Sequence, residues 1–297
     1  MKKFFLVFCL LFFSVMNLFS GETGKISGYP SIYQYKETQN LVSLVRDAAV
    51  LIKNQGEAVF PEFEKEGSKW RHGDTYIFIL DSEGDMILHP DSALEGKKQI
   101  ELKDVNNKLI IKGFIKETAN KNGEGWFHYQ WPEPGSILPL WKSSFVKLVI
   151  APSGKRYIVG SGLYNMRMEK EFIVAVVNSA VLLIEKEGRR AFSKIRDKAG
   201  PFSFLDTYVF IDSPDGVELV NGSFLNIEGR NLIDYKDSNG KYLVRDYINI
   251  ALTKGAGWLD YLWPKPGQSI PSKKHTYVRK AKYGDEIFIV GSGAYLE

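Results

Sequence analysis

The sequence predicts an α+β protein made of two tandem copies of one module, each a long N-terminal helix followed by an antiparallel sheet of about five strands. Three observations carry this expectation. A set of residues recurs along the chain at a nearly constant offset, each copy opens on apolar residues at helical spacing, and each continues in short apolar runs punctuated by turn residues.

The repeat is the strongest of the three. Asp74-Thr75-Tyr76 returns as Asp206-Thr207-Tyr208, a shift of 206 − 74 = 132. Gly125-Trp126, Tyr129, Trp131-Pro132 and Pro134-Gly135 return as Gly257-Trp258, Tyr261, Trp263-Pro264 and Pro266-Gly267 at the same 132. Lys142 and Val146 map onto Lys274 and Val278, and Gly160-Ser161-Gly162 with Tyr164 returns as Gly291-Ser292-Gly293 with Tyr295 at 131. Chance does not produce so many matches in one register.

Each copy reads alike. Leu41, Leu44, Val45, Ala48, Ile52, Val59 and Phe63 mark one face of an opening helix, whose counterpart runs from about Arg167 to Lys198. Thr75–Leu80 and Met86–His89 are short strands around the turn residues Asp81 to Asp85, matched by Thr207–Ile211 and Val217–Val220 around Asp215-Gly216. A short helix follows near Leu109–Ala119 and near Tyr242–Leu252, and three strands near Gly125–Trp131, Ser144–Ile150 and Lys155–Leu163 close the first copy. That order gives an antiparallel sheet with helices on one face. The modules are expected over residues 38–164 and 165–297, joined rigidly because no Pro/Gly/Ser-rich linker separates Tyr164 from the second helix.

The first twenty residues stand outside this fold. Lys2 and Lys3 precede the apolar run Phe4 to Phe19, and Ser20 and Gly21 suit cleavage by a signal peptidase, so a signal peptide is expected over residues 1–20. An uncleaved membrane anchor is the alternative. Later stretches fall short of a second span, so the expectation is a periplasmic or secreted soluble protein. Loss of Lys2 and Lys3 takes the net charge from +4 to +2, without the basic footprint of a nucleic-acid binder. The only cysteine, Cys9, leaves with the signal peptide, which removes disulfides, thiolate metal sites and cysteine nucleophiles.

One constellation in the first copy suggests chemistry. Arg71, Tyr76, His89, Trp126, Tyr129 and Lys142 combine aromatic walls, two cations and an imidazole, the ingredients of a pocket for a small anion. Arg71 would grip a carboxylate bidentately and Lys142 would supply a point charge. The competing reading makes the aromatic residues core and the charges solvated surface. In the second copy Ser203 stands for Arg71 and Asn221-Gly222 for His89-Pro90, while Trp258, Tyr261 and Lys274 remain. The first copy is therefore expected to bind, and the second to support it.

The order Asp-x-Tyr, His-Pro, Gly-Trp-x-x-Tyr-x-Trp-Pro-x-Pro and a closing Gly-Ser-Gly-x-Tyr resembles Cache domains, particularly type 2. The resemblance covers nearly all of Leu41–Tyr164 and, less completely, Met166–Tyr295. It implies a PAS-like sheet, a pocket for a small metabolite, often a short-chain carboxylate, and a part in chemotaxis or other signal transduction. Family members usually sit between two membrane spans ahead of a signalling domain. Lacking the second span, this chain is expected to act with a separate membrane receptor, kinase or transporter.

Enzyme readings find little support. His72, His89, His128 and His275 show no metal-binding spacing, and Gly160-Ser161-Gly162 lacks the frame of a nucleophile elbow. Its glycines fit close backbone packing instead. Neither a cofactor nor a metal is expected. Two functions remain: a small-molecule-binding sensor or solute-binding protein, or a ligand-free envelope scaffold on the same fold. A cavity with converging polar donors favours the first, and one filled by its own side chains favours the second.

Overall fold

The computed structural model describes residues 32–295. The expected signal peptide lies outside the described residues.

The first copy begins with α1 (Lys36–Gln55), whose buried Leu41, Val42, Val45, Ala48, Ala49 and Ile52 recur every three or four residues. Gly56, at φ +66°, ends the helix and returns its N–H to Ile52. The opening helix is therefore not continuous to Phe63. After a 3-10 turn, α2 (Phe60–Glu64) completes it, and the second copy breaks in the same way at Gly188.

A small hairpin, β1 (Arg71–His72) and β2 (Thr75–Tyr76), leads into the sheet proper. The strands are β3 (Phe78–Asp81) and β4 (Met86–Leu88), then α3 (Ile110–Thr118), β5 (Glu124–Pro132), β6 (Pro139–Ile150) and β7 (Arg156–Tyr164). The run expected as one strand over Thr75–Leu80 is thus divided between β2 and β3. The Asp81 carboxylate closes the β3–β4 turn by accepting the Glu83 and Asp85 N–H groups, both at 2.9 Å. The sheet is antiparallel throughout, in the order β4-β3-β7-β6-β5.

The second copy repeats the plan with α4 (Lys170–Glu187), α5 (Ala191–Arg196), β8 (Ser203–Phe204), β9 (Thr207–Asp212), β10 (Glu218–Asn221), α6 (Leu243–Lys254), β11 (Ala256–Pro264), β12 (Pro271–Tyr283) and β13 (Glu286–Tyr295). Its main sheet runs β10-β9-β13-β12-β11, with β8 paired to β9.

Helices cover both faces of each sheet, not one. Ile77, Ile79, Phe145, Val149 and Val159 pack under α1, while Tyr76, Phe78, Leu80, Val146 and Ile158 pack under α3. Neighbouring residues of one strand point to opposite faces, and here both faces are apolar. The first copy therefore has two cores, one behind the sheet and one beneath α3. The second copy has the same pair, under α4 and under α6.

The copies meet through specific contacts. The Glu169 carboxylate, at the start of α4, accepts the backbone N–H groups of Gln34 (2.7 Å) and Tyr35 (3.0 Å). Lys108 Nζ donates to the carbonyl of Ser203 at 2.7 Å, and the His128 ring stacks on Phe204 with centroids 4.1 Å apart.

Candidate functional site

Strand alternation sorts the candidate residues. In β5, Phe127, Tyr129 and Trp131 face α3, whereas Trp126 and His128 face the other way. Tyr129 is paired across to Lys142 of β6, and Lys142 in turn to Tyr164 of β7. Tyr76 and His89 lie on the same side. Beneath α3 these elements leave a cavity of about 20 Å³ lined by Tyr76, His89, Tyr129 and Trp131 with Met86 and Phe114 among its apolar walls. That is the room of one or two waters.

Lys142 is the electrostatic centre of this region. It is 1% exposed, with Nζ 3.8 Å from the Tyr76 ring centroid and 4.5 Å from that of Tyr164, and it donates to the Tyr164 hydroxyl at 3.2 Å. Among the described residues its company is aromatic and hydroxyl rather than carboxylate. Burial holds its amine well below the usual lysine range, and the more distant charge of Asp74 offsets this only in part. Gly162 makes space for the stem, since a Cβ there would stand 2.6 Å from Lys142 Cε.

The donors around Lys142 are kept neutral. Burial first, then the lysine charge, lowers His89 to about 4. Its Nδ1 lies 3.0 Å from the Asp91 backbone N–H. A neutral ring that accepts there carries its proton on Nε2. The Tyr76 and Tyr129 hydroxyls are pushed up by desolvation and remain protonated. Tyr129 hydrogen-bonds Ser144 at 3.0 Å, and the Trp131 indole bonds the Tyr76 hydroxyl. The arrangement can hold one small anion: a cation, phenol hydroxyls and an imidazole N–H in a dry setting.

Tyr76, His89, Tyr129 and Lys142 are thus brought together, and Arg71 and Trp126 are not. Arg71 pairs with Glu66 at 2.8 Å beside the β1–β2 hairpin. Trp126 donates to the Tyr33 hydroxyl at 2.9 Å and packs on Phe172 of α4, between the copies. Sequence reasoning missed Trp131 and Tyr164. Trp131 is two residues beyond Tyr129 and so on its face, a signal available in the sequence. Tyr164 is placed by the β6–β7 register, which spacing alone does not disclose.

Comparison with known proteins adds a family. The sequence profile of the Cache domain matches residues 65–196 and again 183–297. McpP, a methyl-accepting chemotaxis protein of Pseudomonas putida, is 30% identical over 100 residues, 33% of this chain and 18% of that protein. The matched chain thus spans less than a fifth of that relative's length. Among solved structures, a Cache chemosensory domain described as recognising carboxylic acids is 27% identical over 43% of this chain and 93% of its own, with a TM-score of 0.38. A methyl-accepting chemotaxis protein from Vibrio parahaemolyticus is 23% identical over 43% of this chain and 88% of that one, with a TM-score of 0.37.

Proposed function

The chain belongs to the Cache domain family of ligand-binding sensors, and from that premise we propose that its first copy captures a small carboxylate at Lys142. The observation that carries the reading is a fully buried amine surrounded by rings and hydroxyls. Burying a lysine without an acid partner is costly and is otherwise relieved by loss of the proton. An entering carboxylate would supply the missing charge and His89 Nε2–H would donate to its oxygens, while the Tyr164 hydroxyl, which gives its proton to the Pro132 carbonyl at 2.8 Å, remains an acceptor for Lys142. Tyr129 and Trp131 would wall the apolar portion. The proposed site keeps Tyr76, His89, Tyr129 and Lys142 of the sequence candidates. Arg71 and Trp126 stand outside it, the one paired with Glu66 and the other between the copies.

Binding rather than catalysis is proposed, in an exported soluble protein that presents its bound state to a separate membrane receptor, kinase or transporter. The positive, then apolar, N-terminal stretch supports export. Among the described residues no helix is long and apolar enough to cross a membrane.

A second reading, a ligand-free envelope scaffold, draws on the tightness of the first cavity at about 20 Å³. Thermal denaturation against short organic acids separates the two. A ligand present at 100 times its dissociation constant adds about 2.7 kcal/mol of stability. A shift with acetate that disappears in Lys142→Met supports binding. No shift with any short acid supports the scaffold.

A further inference from the structure

The two copies build the same cage and then diverge in charge. Tyr208, Tyr261, Trp263 and Lys274 line the cavity beneath α6; the first three match Tyr76, Tyr129 and Trp131 of the first cavity, and Lys274 matches Lys142, which lies against the Tyr76 ring beside that cavity. Lys274 is 1% exposed, with Nζ 4.0 Å from the Tyr208 centroid. The register is the same, Lys274 pairing with Tyr261 and Tyr295 as Lys142 pairs with Tyr129 and Tyr164.

Four substitutions break the likeness, and they form one network. Leu80 and Met86, paired across β3 and β4, become Asp212 and Glu218, paired across β9 and β10. Both acids are buried, at 0% and 3% exposure. Phe114 becomes Tyr247, whose hydroxyl donates to Asp212 Oδ2 at 2.5 Å. His89 becomes Asn221, whose Nδ2 donates to Glu218 Oε1 at 2.7 Å. Asp212 Oδ1 then has no donor other than a protonated Glu218, and the two carboxyl groups bond each other. Such a pair, sharing one proton, carries one negative charge in the same cavity as Lys274. The Tyr247 hydroxyl, the Asn221 amide and Asp212 Oδ2 are thus partnered, and Asp212 Oδ1 is satisfied only when Glu218 carries the shared proton.

We propose that the Asp212–Glu218 pair is the built-in counter-charge of Lys274, so that the second cavity already contains the carboxylate that the first takes from solution. This rests on the reading of Lys142 as an anion-binding lysine. It makes the second copy self-satisfied and closed to small anions, because an entering carboxylate would meet two buried acids. The substitution that decides specificity is thus Met86 to Glu218, which lines the cavity together with the lysine, more than Arg71 to Ser203 on the hairpin.

Calorimetry of the full chain with sodium acetate tests it. The expected stoichiometry is one acetate per chain, weakened ten- to a hundredfold by Lys142→Met and unchanged by Lys274→Met. Asp212→Leu with Glu218→Met restores the first copy's residues and should open a second site, lost again on adding Lys274→Met. Asp212→Asn with Glu218→Gln removes the charge while keeping hydrogen bonds, and serves if the apolar variant fails to fold. Two sites in the unaltered chain overturn the inference, as does a folded, charge-free variant that gains none. Binding of methylammonium that is lost in Glu218→Gln also overturns it, since the acids would then serve a cation from solution. Should the unaltered chain bind no acetate, the reading of the first cavity fails by itself. A site appearing only in the charge-free variants would still sustain this inference, and none appearing would end it.

Discussion

Gly162 and Lys142 lie so close across β7 and β6 that a Cβ at Gly162 would stand 2.6 Å from Lys142 Cε, and 2.5 Å from Ser144 Oγ. Neither glycine of the Gly160-Ser161-Gly162 run has a positive φ, so clearance and not backbone freedom explains them. Gly160 meets Phe78, and a Cβ there would come within 2.4 Å of its ring. Gly162→Ala and Gly160→Ala should each cost about 1–3 kcal/mol of stability through overpacking. Only Gly162→Ala should also weaken acetate binding, by displacing the lysine. Denaturant unfolding together with calorimetry checks this, and equal effects of the two variants on binding would sink the distinction.

Lys142→Met is the sharper probe. A charge-assisted hydrogen bond contributes about 1.5–3 kcal/mol, so affinity for acetate should fall roughly ten- to a hundredfold. Stability should not fall with it. The methionine fills similar volume, and no ion pair is broken, because the lysine meets rings and a hydroxyl. Thermal denaturation without ligand is the control. A melting point lowered by many degrees would assign Lys142 to holding the fold rather than to the site.

How legible this was depended on the kind of signal. The repeat and the element order were readable because turn residues and apolar runs are local. The apolar run Tyr76-Ile77-Phe78-Ile79-Leu80 also announced burial on both faces, which one-sided helices do not explain. Grouping Trp126 with Tyr129 ignored their odd separation within one strand. Their opposite faces follow from the period of two, and the structure obeys it. Arg71 looked like an anion grip by residue type alone, and its pairing with Glu66 depends on how the chain turns after α2. Asp212 and Glu218 were not legible as a pair. They meet through the β9–β10 register, and in sequence each resembles an ordinary charge near a turn.

Export is testable on its own. If the signal peptide is removed, the mature chain begins at Gly21, and intact-mass measurement of the extracytoplasmic fraction should show a species lacking residues 1–20. It should remain in solution after membranes are sedimented. A full-length species in the membrane pellet would replace the proposal with an anchored protein.

The contact between the copies should be sensitive to acid. His128 is half-buried and stacked on Phe204, with Nδ1 2.7 Å from the Ser143 hydroxyl, and desolvation followed by the nearby Lys108 charge lowers it to about 3. In the unfolded chain it would titrate near the ordinary histidine value of about 6.5. Between those two values the unfolded state binds the extra proton, so stability is lost as pH falls from about 6.5 toward 3 and is fully present above that window. His89, lowered to about 4, adds to the same trend over a narrower range. The combined effect at pH 5 is on the order of a few kcal/mol, since a tenfold difference in proton affinity between folded and unfolded chains is worth about 1.4 kcal/mol. His128→Phe keeps the ring on Phe204 and removes the proton site, though it leaves the Ser143 hydroxyl without its imidazole partner. Its melting point should therefore lie somewhat below that of the unaltered chain at pH 7, yet fall less between pH 7 and pH 5. If the two proteins lose the same number of degrees over that interval, the imidazole is not the group that makes the junction acid-sensitive.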